Sequence, residues 1–414
     1  VMRPSMARAK QVLGNTQAWG VGLAEGKKGC ALATFAAPSA SLYSTKSADG
    51  EHVVLPADSN QAEGLAKYAR DFLLGNGGKP SDQVLKRTNL FFTDAMLCGT
   101  SAVSLRTNAP TVLRKEAAKY ACADGVPVFG STQKVHPEKA ILANCAATRE
   151  WDSNGTNFGY NPKLNHVAGE FGHPDFFPVS IAAAQQSGRD GKFALLCMTL
   201  LEEIRCRLGE VFSLKTYKID HVVHGAIASA VVYGTAVGAS VKEIESAVGM
   251  VVAHYTPFRA IRAGKQLSDS KGSSSAISTE VAVLSVRRAM DGFVGPQDIF
   301  RNPEAIFRLF EGPGQMLQAV GQTPDLSKDY ASPFMLSLGM SGDDFAVLGE
   351  HFKLGLYEHQ SAGAMQGLLN LMEQNPEILS TDAQAKHIDS IAITAYEPAF
   401  GIIGDPAKKD PKTR

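Results

Sequence analysis

From His221 to Val241 the chain runs for twenty-one residues without a single Lys, Arg, Asp or Glu. A helix of that length is long enough to cross a bilayer. Its content argues otherwise: His221 and His224 interrupt it, and Gly225, Ala226, Ala228, Ser229, Ala230, Gly234 and Gly238 keep its surface small. Such a segment reads as a helix packed closely against other helices in the core of a soluble protein.

The neighbouring sequence supplies those other helices. Residues 59–74 and 81–103 carry apolar side chains at three- and four-residue spacing behind serine caps, joined across Gly75-Asn76-Gly77-Gly78. Residues 192–212 place Phe193, Leu196, Leu200, Ile204 and Leu208 on one stripe. Ser240-Val241-Lys242-Glu243 is a capping box for a helix running to about Tyr255, and residues 277–290 continue the pattern. At Gly292-Phe293-Val294-Gly295-Pro296 the texture changes. The expected architecture is mainly α: an all-helical catalytic domain over 55–294 and a smaller α+β lid domain over 295–414, with a helix over 361–373 and a strand over 390–396.

With 414 residues, 44% of them hydrophobic, the chain can bury a large core. Forty-one basic and forty-one acidic residues leave no net field to recruit nucleic acid or an anionic membrane, so an anionic ligand needs a local cationic pocket. A small acid fits better than a polymer. Six cysteines without Cys-x-x-Cys spacing argue against structural zinc, a disulfide scaffold or an iron–sulfur cluster. No His-Glu-x-x-His or comparable ligand spacing appears, so no metal is expected. Residues 1–48 contain one acidic residue, Glu25, among several Lys, Arg, Ala and Ser, the composition of a mitochondrial transit peptide or of a disordered tail. The sequon Asn154-Gly155-Thr156 has no secretory signal to go with it.

Three polar clusters break the apolar helical pattern. One runs from Trp151-Asp152-Ser153-Asn154-Gly155-Thr156 to Glu170-Phe171-Gly172-His173-Pro174; another holds Lys215, Lys218, Asp220, His221 and His224; a third holds Arg259, Arg262, Lys265, Asp269 and Lys271, the last opening Lys271-Gly272-Ser273-Ser274-Ser275. A carboxylate, imidazoles and ammonium groups are the residue types of acid/base work on an anionic substrate. His173 and His221 can each serve as base or acid. Lys271 stands before an expected helix N-terminus, where Ser273 and Ser274 would help bind a carboxylate. Asp152 could orient a histidine or hold a substrate hydroxyl, with Thr156 close by. His224 reads as a packed histidine, while Arg259, Arg262 and Lys265 form either a solvated face or the flank of the anion site.

Together with Ala143-Asn144-Cys145 and Ile219-Asp220-His221-Val222-Val223, these motifs resemble, in order, those of the MmgE/PrpD family, whose members include 2-methylcitrate dehydratases and cis-aconitate decarboxylases. The resemblance runs from about Ser59 to the last residue. It implies an all-α domain with an α+β lid, no required cofactor, and active-site positions at Asp152, Thr156, His173, His221 and Lys271, with Lys353 falling near a lid lysine. It also implies a further segment beyond Arg414, so the chain is expected to be partial. The implied activity is dehydration of 2-methylcitrate, a small tricarboxylate, in propionate breakdown, by a homodimer in the mitochondrial matrix or the cytoplasm. Decarboxylation of cis-aconitate to itaconate is the closest alternative, and a truncated, catalytically silent assembly subunit the alternative of another class.

Overall fold

In a computed structural model the described residues are 45–46, 51–75, 77–153, 156–158, 170–172, 174–262, 268–309, 330–353, 355, 357–377, 388–395 and 399. All lie in the compact unit Leu42–Arg414. The expected transit segment lies outside them, apart from the short strand β1 (Thr45–Lys46).

Helices carry the fold, and the mainly α class is as expected. They are α1 (Gln61–Leu73), α2 (Asp82–Ser104), α3 (Asn108–Ala117), α4 (Pro137–Arg149), α5 (Phe177–Gln186), α6 (Gly191–Val211), α7 (Val222–Ala236), α8 (Val241–His254), α9 (Asp269–Gly272), α10 (Ser274–Met290), α11 (Ile306–Leu309) and α12 (Ala362–Gln374). Their starts follow local chemistry. Asn60, Ser81 and Asp190 each accept a backbone N–H of the first turn of α1, α2 and α6. Ser240 and Glu243 complete a reciprocal capping box on α8.

α7 is the centre. Every residue of it is buried, and it packs against α1, α5, α6, α8 and α10. Among the described residues no helix is long and apolar enough to cross a membrane. The small residues have a use: a Cβ at Gly225 would overlap the Phe176 ring, and one at Gly249 of α8 would overlap the Pro296 carbonyl oxygen. Phe176 ends a 3-10 turn, Pro174–Phe176, that leads into α5. Glycine at 225 therefore lets that turn lie against α7.

The strands are short: β2 (His52–Leu55), β3 (Lys79–Pro80), β4 (Ala121–Pro127), β5 (Lys134–Val135), β6 (Thr156–Phe158), β7 (Glu170–Gly172), β8 (Leu336–Gly339) and β9 (Ser341–Gly342). β1, β2 and β8 form an antiparallel sheet in which His52 faces Gly339 and Leu55 faces Leu336. β8 is held to the helices by Glu203 of α6, whose carboxylate accepts the backbone N–H groups of Gly339 at 2.7 Å and Ala346 at 2.6 Å. Phe307 and Phe334 meet Phe212 and each other edge-on, and Phe300 lies tilted against Phe307.

The expected helix over 361–373 is present as α12, but the expected strand over 390–396 is not formed: residues 388–395 are irregular, with Ile391 and Ile393 exposed. Alternation of apolar residues makes a strand only where another strand supplies hydrogen bonds, and none pairs with this segment among the described residues.

Candidate active site

The site assembles where α4 ends and α7 begins. After Arg149 the helix unwinds, and Asp152 adopts the left-handed backbone region with φ of 52°. Aspartate tolerates that region better than most residues, and such strain concentrates at functional sites. The turn aims the Asp152 carboxylate back at three cations. Arg149 Nη1 lies 2.5 Å from Oδ1, Lys271 Nζ lies 2.7 Å from Oδ2, and Lys353 Nζ lies 3.9 Å from Oδ1. Lys353 also donates to the Asp152 carbonyl oxygen.

Arg149 is buried and reaches a second carboxylate, Asp175, through Nε at 3.2 Å. Burial by itself would weaken the guanidinium's hold on its proton, but Asp152 and Asp175 outweigh it and strengthen that hold. Asp175 sits in the turn that Gly225 admits against α7.

His221 occupies the N-terminus of α7. Its Nδ1 lies 3.6 Å from Asp220 Oδ1. Burial pushes its proton affinity well below the ordinary imidazole range; Asp220 pulls it up, while Arg262, Arg149 and Arg259 push it down. The result is a neutral ring at neutral pH. For Asp220, burial would raise the value, but His221, Arg262 and Arg259 hold the carboxyl well below the usual carboxylate range.

Arg262 reaches Asp220 because of a local backbone feature. Ile219 and Phe258 form an isolated antiparallel bridge, with Asp220 N–H donating to Pro257 O and Arg259 N–H to Lys218 O, each at 2.8 Å. A 3-10 turn over Arg259–Arg262 follows. Arg262 then forks onto both oxygens of Asp220 and also donates to Ser274 Oγ at 3.1 Å. Ser274 is buried, and its hydroxyl donates to Lys271 O at 3.1 Å.

Lys353 arrives from the other end of the chain. Its neighbour Phe352 stacks on Phe91 of α2 with ring centroids 4.2 Å apart, and the Arg87 guanidinium covers both rings. Two residues earlier, buried Glu350 meets Arg205 and Cys206 of α6. Held this way, Lys353 is buried; desolvation lowers its proton affinity, opposed by Asp152 and Glu358. Half-buried His359 belongs to the same group: burial and then Lys353 lower its proton affinity, while Glu358 and Asp152 raise it. Glu358 Oε2 lies 3.9 Å from Lys271 Nζ.

Of the residues picked from sequence, Asp152, Lys271 and Lys353 are in direct contact, Ser273 and Ser274 are buried beside Lys271 at the start of α10, and His221 joins through Asp220 and Arg262. Thr156 lies in β6, its backbone paired with Gly172 of β7, which brings the Asp152–Thr156 and Glu170–Pro174 motifs side by side. His173 and Lys265 lie outside the described residues. His224 is a packed core histidine, its proton affinity lowered to about 3 by burial and by Arg205. Arg149, Asp175, Glu358 and His359 were missed, and Asp220 and Arg262 were left without a role. Arg149 stands two positions before the Trp151-Asp152 motif and His359 follows Lys353 by six positions, so both were open to a reading that extended the motifs.

Among the described residues one set of donors could hold a metal, Glu202, Cys206 and Glu350, whose ligand atoms lie within 4.8 Å of one another. Arg205 bridges its two carboxylates and supplies the positive charge there.

The family model described as the MmgE/PrpD N-terminal domain matches residues 63–318. That span holds every site residue given above except those from Glu350 onward.

Proposed function

The chain belongs to the MmgE/PrpD family, and on that premise we propose that it dehydrates 2-methylcitrate to 2-methyl-cis-aconitate in propionate breakdown. Membership supports the coarser statement, a lyase of the dehydratase kind. The observation that carries the finer reading is the meeting of Arg149, Lys271 and Lys353 on Asp152 beside a buried, neutral His221.

Elimination breaks a C–H bond next to a carboxylate and a C–O bond on the neighbouring carbon. The electron pair of the C–H bond becomes the new C=C bond, the proton goes to a base, and the hydroxyl leaves as water after taking a proton from an acid. Negative charge gathers on the substrate carboxylate meanwhile, so preorganised cations lower the barrier. In this reading Lys271 and Lys353, gathered by Asp152 in the free site, turn to substrate carboxylates, and Arg149 holds Asp152. His221 accepts the proton, and Lys353 or His359, both with lowered proton affinity, protonates the leaving oxygen. His173, beside Gly172, is a further candidate for either step.

The purified chain is to be assayed by the ultraviolet absorbance of the unsaturated acid formed from 2-methylcitrate and from citrate, and by carbon dioxide release from cis-aconitate. Preferred turnover of 2-methylcitrate supports the proposal. Carbon dioxide release without dehydration would replace it with a decarboxylase, and inactivity on all three in a folded chain would leave the silent-subunit reading.

A further inference from the structure

The Arg262 fork ties together two motifs that lie fifty residues apart in sequence, Asp220-His221 and Lys271-Gly272-Ser273-Ser274. Hydrogen bonds run from Arg262 Nη2 to Asp220 Oδ1 at 3.0 Å and to Ser274 Oγ at 3.1 Å, and from Ser274 Oγ to Lys271 O at 3.1 Å. Asp220 Oδ1 in turn receives the first N–H of α7, from Val222 at 3.3 Å, and faces His221 Nδ1. One guanidinium thus sets the N-terminus of α7 against that of α10. We infer that Arg262 is a positioning residue for the proposed reaction, holding His221 through Asp220 and Lys271 through Ser274, and that it does not bind the substrate carboxylate. This rests on the proposed function for its kinetic consequence, but the placement itself does not.

The geometry favours that role over substrate binding because Nε and Nη2 of Arg262 are already engaged by Asp220 and Ser274. Nε and Nη2 cover both oxygens of a buried carboxylate, a planar match that an ammonium cannot reproduce. A substrate acid drawing Arg262 away would leave Asp220 buried without its strongest partner, which is costly. Lys271 and Lys353, by contrast, share the partly exposed Asp152, with Glu358 near Lys271, and can turn to a ligand. The charged groups around His221 are Asp220, Arg262, Arg149 and Arg259. Removing Arg262 therefore frees Asp220 to shift against His221, while burial, the largest cause, still keeps the ring neutral.

The test uses Arg262→Ala and Arg262→Lys in the full chain, with Ser274→Ala cutting only the link to Lys271. With 2-methylcitrate we expect kcat to fall on the order of a hundredfold in Arg262→Ala and about tenfold in Arg262→Lys, with KM within roughly threefold of the parent, and partial rescue of Arg262→Ala by added guanidinium. A raised KM with unchanged kcat would make Arg262 a substrate ligand and overturn the inference. A second arm needs no substrate: histidine ring NMR, with the His221 signal assigned by its loss in His221→Gln. The ring signals should differ between the parent and Arg262→Ala, because the Asp220 carboxylate 3.6 Å from Nδ1 loses the fork that fixes it, and should lie nearer the parent's in Arg262→Lys. Identical His221 signals in the parent and Arg262→Ala would sink the positioning role, whether or not 2-methylcitrate proves to be the substrate. If Arg262→Ala fails to fold, the kcat and KM of Arg262→Lys decide.

Discussion

The Lys271 ammonium lies 2.7 Å from Asp152 Oδ2, joining side chains 119 positions apart in sequence. Neither residue is deeply buried, so the pair is not a stability device of much weight. In the proposed reaction its use is placement: Asp152 gathers Lys271 and Lys353 for a substrate carboxylate.

Lys271→Ala and Asp152→Asn should each lower kcat/KM by at least about a hundredfold, roughly 3 kcal/mol of transition-state stabilisation. Because they act as a unit, the double variant should fall no more than about tenfold below either single one. Fully multiplicative losses in the double-mutant cycle would show that the contact is incidental.

Acid should destabilise the fold through His224. An unfolded chain protonates this ring near the ordinary value of about 6.5, whereas the folded chain holds off until about 3. Between those values the unfolded state binds the extra proton, so stability drops as pH falls below about 6.5, by at most ~1.4 kcal/mol per pH unit. Buried His221 adds in the same direction. In urea titrations at neutral and mildly acidic pH, His224→Leu should lose less stability on acidification than the parent; an equal loss would place the acid sensitivity elsewhere.

The Phe91, Phe352 and Arg87 clamp should govern substrate affinity through Lys353. Phe352→Ala removes the stack two bonds from the Lys353 backbone, and we expect KM to rise about tenfold while thermal stability changes modestly. An unaltered KM would mean that Lys353 does not touch the substrate.

Gly225→Ala should destabilise by about 1–3 kcal/mol, since its Cβ would overlap the Phe176 ring in a packed core. Activity should drop more than stability alone explains, because the displaced turn carries Asp175, the partner of Arg149. Gly191→Ala is the control, with nothing within 4 Å of the added Cβ. Equal melting temperatures for the two variants would contradict the packing account.

Chelators should leave turnover unchanged. The histidines lack metal-ligand spacing in the sequence, and the buried Glu202, Cys206 and Glu350 set already has Arg205 as its cation. Loss on chelation, restored by one metal, would force a different mechanism.

Several helices and most of their starting points were legible in the residues, although α1 is capped by Asn60 and not by the expected Ser59. Ser81, Ser240 and Glu243 cap as their positions suggest, and the charge-free run after His221 became the buried α7. The resemblance of the ordered motifs also pointed to Asp152 and Lys271, which proved to be in contact, and to Lys353, which joins them. Arg149, Asp175 and His359 were not found, since each reads locally as an ordinary helix-end or loop residue. The strand expected over 390–396 failed for a related reason, as its alternation says nothing about whether a partner strand lies alongside.

The division follows from the range of the forces. A helix closes its hydrogen bonds four residues away and its caps within three, so the sequence alone determined the helical class and the residue types available for chemistry. Ion pairs, strand ladders and burial depend on which distant segments meet. Only the tertiary structure decided that a guanidinium from a 3-10 turn would hold Asp220, that a stacked Phe352 would deliver Lys353 to Asp152, and that desolvation would keep His221 neutral.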